Sequence, residues 1–444
     1  SPGTLQTKRR TLEMDTTAKT QPCLVECKEL SESKPSLPVQ NTYFANRIIW
    51  GDNLGVLQTL RSDFGGRIKC IYIDPPYNTK NHIPHYRDAR GHQSWLGNLQ
   101  PRLRLLWSLL REDGFLVVQI DDHEFARLYL LMADLIGEAR LKSICVKMAE
   151  PTGFKMIHAL KQGNIPRLKE FLILAGKSGI RNLHPERIPK SEWDPEYRWV
   201  LVGPTRRDIR SLKLIIANST RTPQDIKRAD AICQSFRLLP LATVCQKEQN
   251  TNPSKDWLTD NSWRIVRTCS TSRTAKQRAD KKRFHIPNKE GAFTIQTVQG
   301  KLYVIVVRYD KRKPQPRMRL LFADDYMTVH PGDFWADIKT TNLADEGGVS
   351  FVKGKKPEAL LKRIIGMTTS TGDWVLDAYA GSGTSGAVAH KMRRQWLMIE
   401  DGPQCESHIL PRMRSVIAGT DNSGTTKVLG WHGGGGFQFF RSTP

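Results

Sequence analysis

Apolar residues recur along this 444-residue chain in short runs typical of strands, separated by stretches with the spacing of amphipathic helices. The run 47–50 is followed by apolar positions at helical spacing over 54–60 and then by the run 68–73. Strand, helix and strand in such close succession predict a βαβ unit of a parallel sheet. Further buried strands are predicted over 115–120, 171–175, 374–377 and 396–399.

The alternation disappears between about 178 and 345, where strands are interleaved with charged residues. We therefore predict an α/β fold: a doubly wound, Rossmann-like sheet formed by the two ends of the chain, with an inserted domain between them. The N-terminal stretch is rich in Ser, Thr, Lys and Pro and lacks periodicity, which is typical of a loosely held arm. The predicted boundaries are 1–43 for the arm, 44–177 for the first half of the sheet, 178–345 for the insert, and 346–444 for the second half and the C-terminal tail.

The chain is strongly basic, with 68 Lys and Arg against 44 Asp and Glu and a formal net charge of +24. Much of the excess falls on 262–319, where basic residues are interleaved with aromatic ones and acids are few. Such a density favours a surface that tracks the phosphates of nucleic acid, and a merely solvated basic face is the alternative. The candidate DNA-binding residues are Lys276, Arg278, Lys281, Lys282 and Arg283.

The spacing of cysteine and histidine predicts no metal site. The eight cysteines include no C-x-x-C pair, and His82, His85 and His92 lack a fourth ligand at a recognisable spacing. No apolar run approaches the ~20 residues of a membrane span. We therefore expect a reduced, soluble protein of the cytoplasm, associated with the nucleoid and with no membrane partner.

The stretch Asp74-Pro75-Pro76-Tyr77 directly follows the predicted strand 68–73. The prolines end the strand abruptly and place Asp74 and Tyr77 at its carboxyl end, the edge at which open α/β sheets bind ligands. A carboxylate and a backbone carbonyl held there can both accept hydrogen bonds from one exocyclic NH2 group, and the aromatic ring offers a face on which a base can stack. A plain strand followed by a Pro-Pro turn is the alternative.

A second acid is predicted at the same edge of the sheet. Asp52 and Asn53 stand in the turn between the first strand and the first helix. The geometry of a βαβ unit brings Asp52 to the edge that carries Asp74. Capping of the following helix is the alternative role for Asp52.

A glycine turn follows the predicted strand 374–377 and opens the next helix. Its N–H groups can point at an anionic ligand, and Glu400, at the end of the following strand, can accept hydrogen bonds from two ribose hydroxyls. Gly381, Gly383 and Gly386 also satisfy G-x-G-x-x-G, so a nicotinamide or flavin enzyme is an alternative. Such an enzyme has no evident use for the stretch 74–77 or for a basic insert of this size.

Together these motifs resemble the amino-methylating DNA methyltransferases of the β class, and most closely the modification subunits of type III restriction systems. Asp74-Pro75-Pro76-Tyr77 matches their catalytic D-P-P-Y motif, and the segment 379–383 is similar to their F-x-G-x-G cofactor motif with Tyr in place of Phe. The order of catalytic motif, target-recognition insert and cofactor motif also agrees. The resemblance implies that 44–177 is the catalytic half of a methyltransferase domain, that 178–345 reads DNA and that 346–444 carries the cofactor half.

The resemblance also implies S-adenosylmethionine as the cofactor and a set of residues that bind it. Glu400 would hold its ribose, Asp52 would reach its adenine and Lys356 would lie near its methionine end. The implied cofactor-binding residues are Asp52, Asn53, Lys356, Asp377, Tyr379, Ala380, Gly381, Ser382, Gly383, Thr384 and Glu400. The implied catalytic residues are Asp74, Pro75, Pro76 and Tyr77, which would hold a base flipped out of double-stranded DNA.

The N6 amine of adenine is the predicted target, and the N4 amine of cytosine is the alternative. In the resembled families Asp is common at the first position of the tetrapeptide in adenine enzymes and Ser in cytosine enzymes, and a carboxylate is the stronger acceptor. A catalytically silent subunit that docks DNA is a third interpretation. A homodimer and a complex with a restriction subunit are the assemblies left open.

Overall fold

The computed structural model describes residues 22–34, 45–79, 91–150, 161–190, 192–341, 343–351 and 354–443. The chain forms two compact units, one comprising the residues up to 186 and from 331 onward, the other comprising residues 187–330. The second unit lies inside the predicted insert 178–345 and is narrower than it. Backbone pairing explains the difference, because the strand Phe334–Trp335 joins the sheet of the first unit.

The elements of the first unit up to residue 186 begin with two short strands and continue as alternating strands and helices. The strands are β1 (Cys23–Glu26), β2 (Glu32–Lys34), β3 (Arg47–Trp50), β4 (Ile68–Ile73), β5 (Leu110–Ile120), β6 (Leu141–Lys147) and β7 (Lys169–Gly176). The helices are α1 (Asn53–Phe64), α2 (His92–Leu109) and α3 (Phe125–Ile136).

The second unit combines antiparallel strands with short helices. The strands are β8 (Ile188–Pro189), β9 (Trp199–Val202), β10 (Arg237–Pro240), β11 (Ile265–Ser270), β12 (Ala292–Gln296), β13 (Leu302–Val306), β14 (Arg317–Phe322) and β15 (Thr328–Val329). The helices are α4 (Arg206–Ala217), α5 (Pro223–Gln234), α6 (Leu241–Gln249), α7 (Lys255–Asn261) and α8 (Arg273–Arg283). Six strands form one sheet in the order β10-β9-β11-β14-β13-β12, while β8 and β15, at the two ends of the unit, pair antiparallel with each other.

From residue 331 onward the chain returns to the first unit. The strands are β16 (Phe334–Trp335), β17 (Trp374–Asp377), β18 (Gln395–Glu400) and β19 (Gly435–Thr443). The helices are α9 (Glu358–Thr368), α10 (Thr384–Lys391), α11 (Leu410–Ala418) and α12 (Thr426–Leu429), and a π-helical turn, Cys405–Ile409, leads into α11.

One large sheet organises the first unit, in the order β1-β19-β3-β18-β17-β4-β5-β7-β6-β16, with β2 also pairing with β19. The six strands from β19 to β5 are parallel, whereas β7 runs antiparallel to both of its neighbours. Strand order reverses between β17 and β4, which come from opposite ends of the chain. The predicted doubly wound α/β sheet is confirmed.

Strand β4 lies at the centre of this sheet and is buried at every position. Its side chains alternate between two hydrophobic clusters, with Ile71 and Ile73 packing among α1, α2 and α3 on one face. On the other face Cys70 and Tyr72 pack in the cluster that contains α9, α10 and α11. Helices on both faces explain why the strand reads as a continuous apolar run.

Residues 22–34 differ from the prediction of a loosely held arm. Strand β1 pairs with β19 from Cys23 opposite Thr443 onward, and β2 pairs with the beginning of the same strand. The Thr59 hydroxyl also donates to the carbonyl oxygen of Pro22 at 3.0 Å. The ordering partner lies at the other end of the sequence, so the local composition carried no sign of it.

Among the helices that the structure describes, none combines the length and apolarity needed to span a membrane.

A buried group of charges ties three helical segments of the first unit together. The Glu358 carboxylate, fully buried at the start of α9, accepts hydrogen bonds from Lys391 Nζ at 2.9 Å and from Arg412 Nη2 at 2.9 Å. It also accepts from the backbone N–H and the hydroxyl of Thr425. Burial alone would raise the pKa of Glu358, but Arg412 and Lys391 hold it below its ordinary value. The buried Arg412 is therefore paired with this carboxylate, while Lys391 is shared between Glu358 and Asp421, whose Oδ2 lies 2.6 Å from Lys391 Nζ.

We expect Glu358→Gln to lower the free energy of unfolding by about 3–5 kcal/mol, because breaking a buried ion pair leaves an uncompensated charge. The depressed pKa means that the stabilisation is present above the ordinary pKa of glutamate and is lost as the pH falls through the folded-state value. Urea denaturation at several pH values measures both effects.

The matched control for this prediction is Glu186→Gln. Glu186 is half exposed and pairs with Lys362 at 2.6 Å, and such surface pairs contribute about 0–1 kcal/mol. Equal losses of stability in the two variants, or a difference between Glu358→Gln and wild type that persists at low pH, would contradict the assigned role of the buried carboxylate.

Candidate active site

The reversal of strand order places two acidic strand ends side by side. Asp74 follows β4, Asp377 ends β17, and the two strands are adjacent and parallel, with Cys70 opposite Val375. The carboxyl ends of parallel strands at such a switch point are the usual ligand site of an open α/β sheet. The structure thus brings together the two motifs that the sequence singles out.

One cavity is lined by both motifs and has about 710 Å³ of empty volume. From the β4 side its walls include Asp74, Pro75, Pro76 and Tyr77; from the β17 side they include Asp377, Tyr379, Ala380, Gly381, Ser382 and Thr384. Lys356, from the segment that precedes α9, also lines it. A molecule held by the glycine turn would therefore lie in the same cavity as Asp74 and Tyr77.

Asp74 and Tyr77 belong to a compact hydrogen-bonded cluster. The Tyr77 hydroxyl lies 2.6 Å from Asp74 Oδ1 and 2.8 Å from Glu170 Oε2. Lys356 Nζ is 2.7 Å from the Tyr77 oxygen, 2.9 Å from Glu170 Oε2 and 3.3 Å from Asp74 Oδ2. The loop itself is held by Trp95, whose indole N–H donates to the Pro76 carbonyl at 2.7 Å. Two carboxylates thus share one ammonium group.

The ionisation of this cluster follows from burial and from the shared cation. Burial raises the pKa of Asp74 to about 6, against the opposing effect of Lys356. Burial would also raise the pKa of Glu170, but Lys356 and hydrogen bonds from its neighbours bring it below the ordinary value. Burial disfavours the charged form of Lys356, yet Asp74 and Glu170 together raise its pKa. At neutral pH all three groups are predominantly charged.

Glu170 was not among the predicted site residues. Those residues were predicted just after strands, whereas Glu170 stands near the beginning of β7. Because β7 runs antiparallel to β5, its amino-terminal end lies at the edge where the parallel strands have their carboxyl ends. An acid at the start of a predicted apolar strand was the available signal, but it is informative only once the strand direction is known.

The glycine turn after β17 adopts backbone conformations that favour glycine. Gly381 has φ 55° and Gly383 has φ 77°, both in the left-handed region. The Gly381 N–H donates to Glu400 Oε2 at 2.6 Å, while Gln404 donates to Glu400 Oε1 at 2.7 Å. Burial raises the pKa of Glu400 to about 7. The Glu400 carboxylate, which could accept hydrogen bonds from hydroxyl groups of a ligand, is thereby fixed against the turn.

Asp377 holds the turn from the other side. Its Oδ1 accepts from the Tyr379 N–H at 2.9 Å and its Oδ2 from the Ser385 hydroxyl at 2.5 Å. Burial raises the pKa of Asp377 to about 7. Arg412, anchored by Glu358, donates to the Thr384 hydroxyl at 2.8 Å, so the buried charge network also supports the first residue of α10.

Asp52 has the capping role that was its alternative assignment, together with a second contact. Its Oδ2 accepts from the Gly55 N–H at 3.1 Å at the start of α1. Its Oδ1 accepts from Arg102 Nη2 at 2.9 Å, and Arg102 Nε donates to Asn53 at 2.5 Å. Asn53 in turn donates to the Ala378 carbonyl at 2.8 Å. Asp52 and Asn53 are therefore tied to the beginning of the glycine turn.

A family model described as a DNA methylase, N6_N4_Mtase, matches residues 68–409. The chain belongs to this DNA methylase family. The matched region begins at β4 and ends at the π-helical turn before α11, so it includes both motifs of the cavity.

Named relatives of this methylase-family chain include two modification subunits. The probable type III restriction-modification enzyme HindVI Mod subunit of Haemophilus influenzae is 31% identical over 420 residues, which cover 90% of this chain and 54% of that protein. The type III restriction-modification enzyme EcoPI Mod subunit of Escherichia phage P1 is 24% identical over 423 residues, 86% of this chain and 60% of that protein. The chain thus spans a little over half the length of these relatives.

A solved structure, that of the M1.HpyAVI–SAM complex, is similar to this methylase-family chain with a TM-score of 0.37 and 11% sequence identity. The similarity covers 83% of this chain and 98% of that one.

The five candidate DNA-binding residues of this family member lie on helix α8 of the second unit. Ala275 and Ala279 form the buried face of the helix, while Arg278 and Lys281 are exposed. Arg278 also donates to the Gln296 carbonyl at 2.5 Å, and the other three side chains have partners within the unit as well. Lys276 pairs with Asp280 at 2.7 Å, Lys282 contacts Asp230 at 2.5 Å, and the Arg283 guanidinium lies 4.7 Å from the centroid of the Tyr309 ring.

The histidine cluster considered as metal ligands is only partly visible. His82 and His85 lie outside the described residues, and His92 Nδ1 is 2.5 Å from Glu124 Oε1. Within the described ranges no group of three or more His, Cys, Asp or Glu side chains is arranged to hold a metal ion.

Proposed function

We propose that this chain transfers a methyl group from S-adenosylmethionine to the N6 amine of an adenine flipped out of double-stranded DNA. The observation that carries the proposal is that one cavity is lined by both the 74–77 loop and the glycine turn. Membership of the DNA methylase family supports the reaction class. The Asp at the first position of the tetrapeptide and the similarity to type III modification subunits support adenine as the target.

The residues of the glycine turn fit the proposed cofactor. Left-handed glycines allow close approach of a ligand to the backbone, and Glu400 presents a buried carboxylate beside them. Tyr379 would contact the adenine ring, Glu400 the ribose and Lys356 the carboxylate of the methionine part. When bound, S-adenosylmethionine supplies an electrophilic methyl group and a neutral thioether leaving group.

The 74–77 loop would act on the base. Asp74 and the Pro75 carbonyl accept hydrogen bonds from the amine, which directs the nitrogen lone pair away from the ring. Asp74 then accepts one amine proton as that nitrogen takes the methyl group and the electron pair of the broken carbon–sulfur bond stays on sulfur. Its pKa of about 6 suits a group that must be ionised before the step and protonated after it. Positioning supplies most of the rate.

The second unit would contact the DNA. Its basic helix α8 carries exposed charge, which is the feature expected of a surface that neutralises phosphates. Partnership with a restriction subunit is a further proposal that rests on the similarity to Mod subunits. Assembly into a homodimer stays a prediction.

The product identifies the reaction. We expect the purified protein, incubated with labelled S-adenosylmethionine and genomic DNA from a methylation-deficient strain, to place label in N6-methyladenine. Mass spectrometry of the digested nucleosides measures this. Label in N4-methylcytosine alone would overturn the choice of adenine, and cofactor and DNA binding without any labelled nucleoside would favour a silent docking subunit.

We expect Asp74→Asn to reduce methyl transfer by about 10²-fold or more while leaving cofactor affinity within a few fold. The substitution keeps the size of the side chain and removes the acceptor charge that the amine requires. Turnover and cofactor affinity are to be measured on the same preparation. Asp134→Asn, at an exposed position of α3, is the matched control. A variant at position 74 with turnover within tenfold of wild type would refute the role of Asp74.

Replacing Arg278 and Lys281 together with Gln should weaken DNA binding and flatten its salt dependence by roughly one unit of slope per lost phosphate contact. These side chains are chosen because they are the exposed ones of the five, and Arg278 also donates to the Gln296 carbonyl. Lys282 and Arg283 are half-buried and contact Asp230 and Tyr309. Binding is to be measured over a range of salt concentrations.

The control for helix α8 is the double variant Lys247→Gln with Lys255→Gln, which removes the same charge from exposed positions of α6 and α7. Equal slopes for the two double variants would show that α8 is a solvated face rather than a DNA surface.

A further inference from the structure

Three hydrogen-bond donors converge on a single oxygen atom of Glu170. The Tyr77 hydroxyl, Lys356 Nζ and Gln119 Nε2 lie 2.8, 2.9 and 2.5 Å from Glu170 Oε2. Glu170 is not among the residues that line the cavity, and the proposed methyl transfer assigns it no role. Its position beside the reacting carboxylate therefore calls for a separate explanation.

The orientation of Glu170 is fixed by hydrogen bonds that start from the central strands of the sheet. The Tyr72 hydroxyl donates to Gln119 Oε1 at 2.6 Å, which turns the amide so that its NH2 group faces Glu170. Gln119 is fully buried and Tyr72 is nearly so. These residues belong to the central strands β4 and β5. The carboxylate is thus held by the rigid part of the sheet rather than by a loop.

Tyr77 and Lys356 compete with the substrate amine for the oxygens of Asp74, and Glu170 can reduce this competition. In the structure Asp74 Oδ1 is engaged by the Tyr77 hydroxyl and Asp74 Oδ2 faces the Lys356 ammonium. An incoming amine needs an acceptor that is not fully occupied by these donors. Glu170 is a second acceptor for both of them, and it lies closer to Lys356 Nζ than Asp74 does, at 2.9 against 3.3 Å.

We propose that Glu170 is a positioning residue for methyl transfer: it holds the Lys356 ammonium and accepts the hydrogen bond of the Tyr77 hydroxyl, so that Asp74 is released to accept a hydrogen bond from the substrate amine. This role rests on the proposed function. As the amine enters, the Tyr77 hydroxyl turns from Asp74 to Glu170, a change that needs only rotation of one O–H bond. Lys356 remains beside Glu170.

The negative charge of Glu170 also affects the ionisation of Asp74 directly. The ionisable groups around Asp74 are Lys356, Glu170 and Tyr77, together with Tyr72 on the same strand and Asp377 on the neighbouring one. Burial and Lys356 have the largest effects on the pKa of Asp74, and the repulsion from Glu170 comes next. This repulsion raises the pKa of Asp74.

Glu170→Gln keeps the length of the side chain and removes its charge. We expect kcat to fall about tenfold with little change in cofactor affinity, because Lys356 shifts to Asp74 and competes with the amine. We also expect the acidic limb of the kcat–pH profile to move to lower pH. Asp74 must be ionised for activity, and loss of the neighbouring negative charge lowers its pKa. Glu170→Asp, which keeps the charge, should leave the limb close to its wild-type position.

The matched control is Glu186→Gln, a surface glutamate that also pairs with a lysine and should change neither kcat nor the profile. Crystal structures of wild type and Glu170→Gln supply a readout that does not depend on turnover. The distance between Lys356 Nζ and Asp74 Oδ2, which is 3.3 Å in the wild-type structure, should shorten in the variant.

These measurements separate the two proposals. If the wild-type protein forms no methylated nucleoside, the proposed function fails, and an unchanged Lys356–Asp74 distance in Glu170→Gln would overturn the positioning role independently. If the wild type is active and Glu170→Gln has wild-type kcat and an unmoved acidic limb, the role of Glu170 is wrong while the proposed function stands.

Discussion

The parallel pairing of β17 with β4 is the constraint on which the site depends. These strands come from opposite ends of the chain, yet Val375 lies opposite Cys70 and Leu376 opposite Ile71. Each strand ends in an acid at the same edge of the sheet. A slip of one residue would turn every side chain of the slipped strand to the other face. The hydrophobic clusters on the two faces oppose such a slip, and core packing therefore fixes the geometry of the acids.

Much of this arrangement could be predicted because the signals were local. Apolar runs marked the strands, the prolines marked the end of β4, and glycines marked the turn after β17. The rule that parallel strands share an edge then placed Asp74 near Asp377. Family membership, inferred from the same motifs, is confirmed by the family model. The roles of the individual site residues stay predictions.

The parts that could not be predicted depend on partners distant in sequence. Glu170 reaches the site because β7 is reversed, and strand direction is not written in the residues of β7. The order of residues 22–34 comes from β19. The basic helix α8 was recognised from charge alone, but charge does not tell which cations are already paired. Lys282 pairs with Asp230 and Arg283 packs on the ring of Tyr309, and both of these partners lie elsewhere in the sequence.

The antiparallel pairing of β8 with β15 has a consequence for how such proteins can diversify. It sets Ile188 opposite Val329, so the chain enters and leaves the second unit through neighbouring backbone positions. A module whose two ends are adjacent can be exchanged for another of different length without altering the distance that the rest of the chain must bridge. The second unit can therefore be replaced while the residues at the sheet edge of the first unit stay unchanged.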